Sequence, residues 1–161
     1  MVENLRSYLA SDELAKAAGA SSYAELVNIP VLVGSHFRNT GKVIGTGGYA
    51  MNRAALQLFV SSMNKPTCKP RAVSSAEDFR ISECLQAQGA KFPDTMKDGR
   101  QRFARFSPTA YYTAKIARWI GVACCSPELI SLHYLQPWEI RWFYSRLYKQ
   151  TAGNDAWYTH D

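Results

Sequence analysis

The sequence predicts a single α/β domain, and three observations carry that expectation. The chain has 161 residues with 47% hydrophobic and 12% aromatic content, enough to bury one sizeable core. The β-branched run "VLVGSHF" at 31–37 and the shorter "KVIG" at 42–45 read as buried strands between amphipathic helical patterns. No repeat, low-complexity tract or linker divides the chain, so strands and helices alternate within one unit.

In chain order, Val2, Leu5 and Leu9 share one helical face, and Ser11 caps a second helix that Gly19 ends. A short pattern, "SYAELVNI", stops before Pro30. After the strand at 31–37, "GKVIGTGGYAMN" reads as a strand entering a glycine turn, with Asn52 capping a helix whose buried face is Leu56, Phe59, Val60 and Met63. Gly45, Gly47 and Gly48 suit either a tight turn or a phosphate cradle, though the run fits neither the dinucleotide fingerprint nor a P-loop. Ser75 and Asp78 have the spacing of a capping box for a helix that buries Ile81, Cys84 and Leu85 and ends at Gly89. "AKFPD" resembles a short strand and "KDGRQR" a polar loop. Ser107 and Pro108 open a helix bearing Tyr111, Tyr112, Ile116 and Trp119; Leu129 to Leu135 reads as a buried strand; Pro137 opens an aromatic-rich helix. The tail 151–161 has no periodicity.

The formal charge of +6 favours anionic partners, such as a nucleotide diphosphate. The basic residues are scattered, in loose clusters at Lys65, Lys69 and Arg71 and from Lys97 to Arg105, which argues against a nucleic-acid partner. Cys68, Cys84, Cys124 and Cys125 lack paired zinc-site spacing. Four cysteines allow three disulfide pairings, one of which joins Cys68 to Cys84, and any of them needs an oxidising compartment. No run of about eighteen apolar residues is present, and the N-terminal stretch is unlike a signal peptide.

Three stretches, "GTGGYAMNRAAL", "AEDFRISECLQAQGAKFPD" and "CCSPELISLHYLQP", resemble in order and spacing the C-terminal half of Fringe-like β-1,3-glycosyltransferases, and most of all the galactosyltransferases of core 1 type. The resemblance runs from about residue 2 to residue 149, which makes 1–150 the acceptor-side half of such a domain and 151–161 a tail. It implies the C-terminal part of a GT-A type nucleotide-sugar glycosyltransferase fold. The activity it implies is inverting transfer of galactose from UDP-galactose to N-acetylgalactosamine on glycoproteins. By that resemblance Asp78 is the general base for the acceptor hydroxyl, Glu77 its acidic partner, and Gly47, Gly48 and Tyr49 a wall of the sugar site. His133 falls on the family histidine that helps to hold Mn²⁺. Taken by itself, a histidine on an apolar strand is ordinarily a satisfied core residue. The implied setting is the Golgi lumen, with a type II membrane anchor in the full-length form, a glycoprotein or glycan acceptor, and a homo-oligomer.

The chain also departs from the family. It contains no Asp-x-Asp run, whose carboxylates ligate manganese in relatives, and the first half of the nucleotide-binding sheet is not in it. Ser82 stands where relatives usually carry glycine, and the interval from Pro108 to Cys124 is short and poorer in Trp and Tyr. Two readings follow: the catalytic C-terminal part of a galactosyltransferase recorded short, or a non-catalytic chaperone-like or glycan-binding relative.

Overall fold

The computed structural model describes residues 2–37, 42–69, 76–112 and 124–149. Ser75, Ile116, Trp119, Arg71 and the tail, all singled out above, lie outside that range. The chain is a mixture of helix and strand, in the order α1 (Val2–Leu9), α2 (Asp12–Ala18), α3 (Tyr23–Leu26), β1 (Leu32–Phe37), β2 (Lys42–Met51), α4 (Arg53–Ser62), α5 (Glu77–Ala87), β3 (Met96–Lys97), β4 (Arg100–Gln101), β5 (Phe103–Ala104), α6 (Pro108–Tyr112), β6 (Ser131–Leu132) and α7 (Pro137–Lys149).

The β1–β2 antiparallel ribbon is the centre of the fold. Successive side chains of a strand face opposite ways, so "VLV" serves two cores at once. Val31 and Val33 pack with Tyr8, Leu14, Leu26 and Phe103, while Leu32 packs with Val43, Ala55 and Leu85. Helices α1 to α3 thus cover one face, and α4 and α5 the other. A buried position on both faces explains why this run lacks a polar alternation.

Several local expectations hold. Ser11 Oγ accepts from Leu14 N at 3.2 Å, and Gly19 ends α2 at φ 81°. Ser107 Oγ accepts from Ala110 N at 3.3 Å ahead of Pro108 in α6. Gly89, at φ 84°, closes the turn after α5, with Ala90 N donating to Leu85 O at 3.0 Å.

Other expectations are corrected. The glycines do not form a turn between strand and helix; they lie inside β2, where the register jumps from Gly34↔Tyr49 to Ser35↔Ile44 and leaves residues 45–48 without partners in β1. The face of α4 is reversed: Ala55 and Ser62 are buried, Phe59 only partly, and Leu56, Val60 and Met63 are half or more exposed. Small residues permit the close approach of α4 to its neighbours, and the larger ones are left outside. In α1 the buried residue is Tyr8, whereas Val2 is exposed. "AKFPD" makes only one bridge, Val31↔Lys91. "KDGRQR" is a hairpin rather than a loop, because Asp98 and Gly99 take φ 50° and 73° and close β3 on β4. The strand expected from Leu129 to Leu135 is confined to Ser131–Leu132, parallel to β5.

Asn52 does more than cap. Its Oδ1 accepts from Ala55 N at 2.9 Å and from Val31 N at 3.1 Å, and its Nδ2 donates to Ile29 O at 2.7 Å. One side chain therefore joins the start of α4 to the entry of β1. Asn52→Ala is expected to cost about 2–4 kcal/mol, from the lost cap and the backbone groups left unsatisfied. Asn52→Asp keeps the two acceptor bonds and should cost less. Urea denaturation of the two variants separates these outcomes.

Arg102 is fully buried yet charged. Its guanidinium donates to Glu13 at 2.9 and 2.8 Å and to Glu128 at 3.1 and 2.6 Å, and it lies 4.4 Å from the centre of the Tyr8 ring. The network ties α1 and α2 to the segment before β5 and to the approach to β6. Burial alone would lower the Arg102 pKa, but the carboxylate bonds overcome it and hold the group charged. The Arg102 hydrogen bonds are also the main reason that the Glu13 carboxyl sits below its ordinary 4.5. A depressed carboxylate contributes stability that is present above its unfolded value and is lost as pH falls through the folded one. The urea midpoint should therefore drop as pH falls below about 4.5, and Glu13→Gln should flatten that drop.

Candidate active site at the glycine bulge

Helix α5 opens with Glu77 and Asp78, and the cap position falls on Ala76, which makes no side-chain cap bond. The expected capping box is therefore not how Asp78 is used. Asp78 is 8% exposed; its Oδ1 accepts from Phe79 N at 2.8 Å and its Oδ2 from the main-chain N–H of Gly45. A Cβ at 45 would lie 3.0 Å from Asp78 Cβ and 3.2 Å from Oδ2, so any larger residue there would have to push the Asp78 side chain aside. One turn along α5, Ser82 Oγ donates to Val43 O at 2.6 Å, entirely buried. Two side chains of α5 thus fasten the helix to β2 on either side of Ile44. The hydroxyl of Ser82 supplies one of the fasteners.

The rest of the bulge faces β5 and β6. A Cβ on Gly47 would meet Ser35 Cβ at 2.7 Å and Phe103 O at 3.0 Å, and Gly48 takes φ 78°. The Ser131 hydroxyl donates to Gly47 O. Tyr49, at the end of the bulge, donates its hydroxyl to Glu77 Oε1 at 2.8 Å. Burial first, and then the Glu77 carboxylate, push the Tyr49 phenol up to about 12, so it is neutral and a donor at ordinary pH. His133 follows two residues after Ser131, with its N–H on Ala104 O at 3.1 Å. Its ring stands edge-to-face with Tyr134 at 4.1 Å, and its Nδ1 is buried without a hydrogen-bond partner.

A carboxylate held by two backbone N–H groups is a fixed acceptor, the arrangement that a general base requires. No family model matches the chain. Among characterised proteins, it is similar to glycoprotein-N-acetylgalactosamine 3-beta-galactosyltransferase 1 of Xenopus laevis, with 30% identity over 126 residues, covering 67% of this chain and 34% of the relative. The chain belongs to the glycosyltransferase family of that protein. It spans about a third of the relative's length.

Within this glycosyltransferase chain, Glu77, Asp78 and Tyr49 come together around Gly45, and Gly47 and Gly48 line the side toward Ser131. The described residues do not fit a manganese site by themselves: no three His, Cys, Asp or Glu side chains gather among them, and His133 offers one imidazole nitrogen. A hard divalent ion needs several oxygen donors besides. Cys68 and Cys84 are bonded with Cα atoms 4.5 Å apart, which clamps the segment after α4 to the buried side of α5. Cys124 and Cys125 are bonded to each other. Among the described residues, no helix is long and apolar enough to cross a membrane.

The roles of Ser82 and Ser131 escape a reading of the sequence. A hydroxyl four residues after Asp78, on a helix face that also carries Cys84 and Leu85, is the available hint that position 82 is buried and bonded. Ser131 offers none, because its partner is 84 residues away.

Proposed function

We propose that this chain is the acceptor-side half of an inverting β-1,3-galactosyltransferase that moves galactose from UDP-galactose to N-acetylgalactosamine on glycoproteins. Asp78 is the general base. The acceptor hydroxyl gives its proton to an Asp78 oxygen as that hydroxyl oxygen bonds to the anomeric carbon, and the bond from that carbon to the UDP oxygen breaks with its electron pair leaving on UDP. What supports the reading most is the fixed Asp78 carboxylate at the glycine bulge, since a base must be aimed before it can act. Glu77 and Tyr49 form the adjoining polar rim, and Gly47 and Gly48 let the bulge pack closely on Ser35, Phe103 and Ser131, which holds the main chain beside Asp78 in place. His133 is proposed as one imidazole ligand to Mn²⁺, and the proton transfer at Asp78 does not depend on it. The Cys68–Cys84 bond agrees with residence in an oxidising lumen such as the Golgi.

A second reading, a non-catalytic glycan-binding or chaperone-like relative, is favoured by the absence of a gathered carboxylate set among the described residues. Acceptor-dependent release of UDP from UDP-galactose, assayed on native protein with an N-acetylgalactosamine-bearing peptide, decides between them. Release that requires the peptide supports transfer. Peptide binding without release supports the second reading.

A further inference from the structure

The start of α7 and the start of α6 enclose a groove of about 190 Å³ lined by Pro108, Thr109, Trp138, Glu139, Trp142 and Phe143. None of these residues belongs to the bulge site. Trp138 and Trp142 are four residues apart, hence on one side of α7, and they are 61% and 47% exposed. The floor is different in kind: Glu139 is only 3% exposed. Its Oε1 accepts from Thr109 Oγ1 at 2.8 Å and its Oε2 from Gln136 N at 2.7 Å, and no lysine or arginine among the described residues is paired with it. Glu139 is the third residue of α7, so its bond to Gln136 N also caps that helix; each oxygen retains a lone pair, and among the described residues the carboxylate has no cation partner.

Two indole faces beside a fixed acceptor match a pyranose, whose C–H face packs on aromatic rings while its hydroxyls donate to carboxylate oxygens. A cationic ligand is disfavoured by the net charge of +6. The volume lies below the roughly 300–1,000 Å³ of drug-sized pockets, which suits one ring rather than an oligosaccharide. We propose that this groove is a second saccharide subsite holding a single pyranose ring, with Trp138 and Trp142 as the platform and Glu139 as the hydroxyl acceptor. The choice of a sugar among neutral ligands rests on the family reading given above.

The test is titration of the isotope-labelled protein with the methyl glycoside of N-acetylgalactosamine, following the indole N–H signals of Trp138 and Trp142 and the amide signals of residues 45–49. Saturable movement of both indoles, with a dissociation constant on the order of 1 mM, is expected. Trp142→Leu should weaken that response at least about tenfold with the melting temperature unchanged, since the side chain is half exposed. Indoles that stay still, or that respond equally to tetramethylammonium, overturn the subsite. Still indoles with moving amides remove the groove and leave the bulge site standing; moving indoles with still amides do the reverse.

Discussion

Replacing Asp78 by asparagine is expected to lower kcat for galactose transfer by about 10²- to 10⁴-fold, the range that a positioned general base contributes. The Michaelis constant for the acceptor should change little, because asparagine has nearly the same shape. The variant also loses part of its anchoring: two backbone N–H groups, of Gly45 and Phe79, are bound by separate carboxylate oxygens, and an amide offers only one acceptor oxygen. A stability loss of about 1–2 kcal/mol should accompany the kinetic one. Glu77→Gln is the control at the neighbouring position. Its amide oxygen can still accept from Tyr49, so neither kcat nor stability should fall as far. Steady-state kinetics and urea denaturation on the same preparations separate lost proton transfer from lost folding. Equal kcat in Asp78→Asn and the parent protein would remove Asp78 from the chemistry.

Arg102→Ala is expected to be strongly destabilising, at about 3–5 kcal/mol. The guanidinium is wholly buried and lies against Tyr8, so truncation leaves a cavity as well as broken ion pairs. Glu13 and Glu128 have side chains 42% and 49% exposed, so water can recover them, which keeps the cost near the low end of that range. Arg102→Met leaves the same two glutamates unpaired but fills most of the space, so it should cost clearly less than alanine. Thermal melting would show the difference, at about 2–4 °C per kcal/mol for a domain of this size. A melting temperature equal to the parent's in Arg102→Ala would mean that the buried network does not hold the layers together.

The same residues show what a sequence can and cannot display. Caps are local, so Ser11, Asn52, Ser107, Gly19 and Gly89 were legible from their neighbours alone. The strand at 31–37 was legible because both faces are apolar. Which face of α4 turns inward was not, since helical spacing groups Leu56, Val60 and Met63 without saying what lies opposite them. The hairpin at Asp98 and Gly99 carried a readable signal, the Asp-Gly pair, that the surrounding charge obscured. The site itself divides in the same way. The resemblance picked out Glu77, Asp78, Gly47, Gly48, Tyr49 and His133, but the bonds that aim Asp78 run to a backbone 33 residues away, and the Arg102 network spans up to 89. Such pairings are settled by tertiary packing. The expected capping box failed because α5 begins at Glu77, which shifts Asp78 out of register and frees its carboxylate for Gly45.

The glycine bulge and Asp78 are proposed as the acceptor side of a sugar-transfer site. The most direct measurement is the set of backbone amide signals of Gly45, Gly47, Gly48 and Tyr49 as a peptide bearing N-acetylgalactosamine is added to isotope-labelled protein. These four are expected to move together and saturate, and the same peptide without its sugar should leave them in place. Signals that stay fixed in the presence of the glycosylated peptide, or that move equally with the bare peptide, would contradict the proposal.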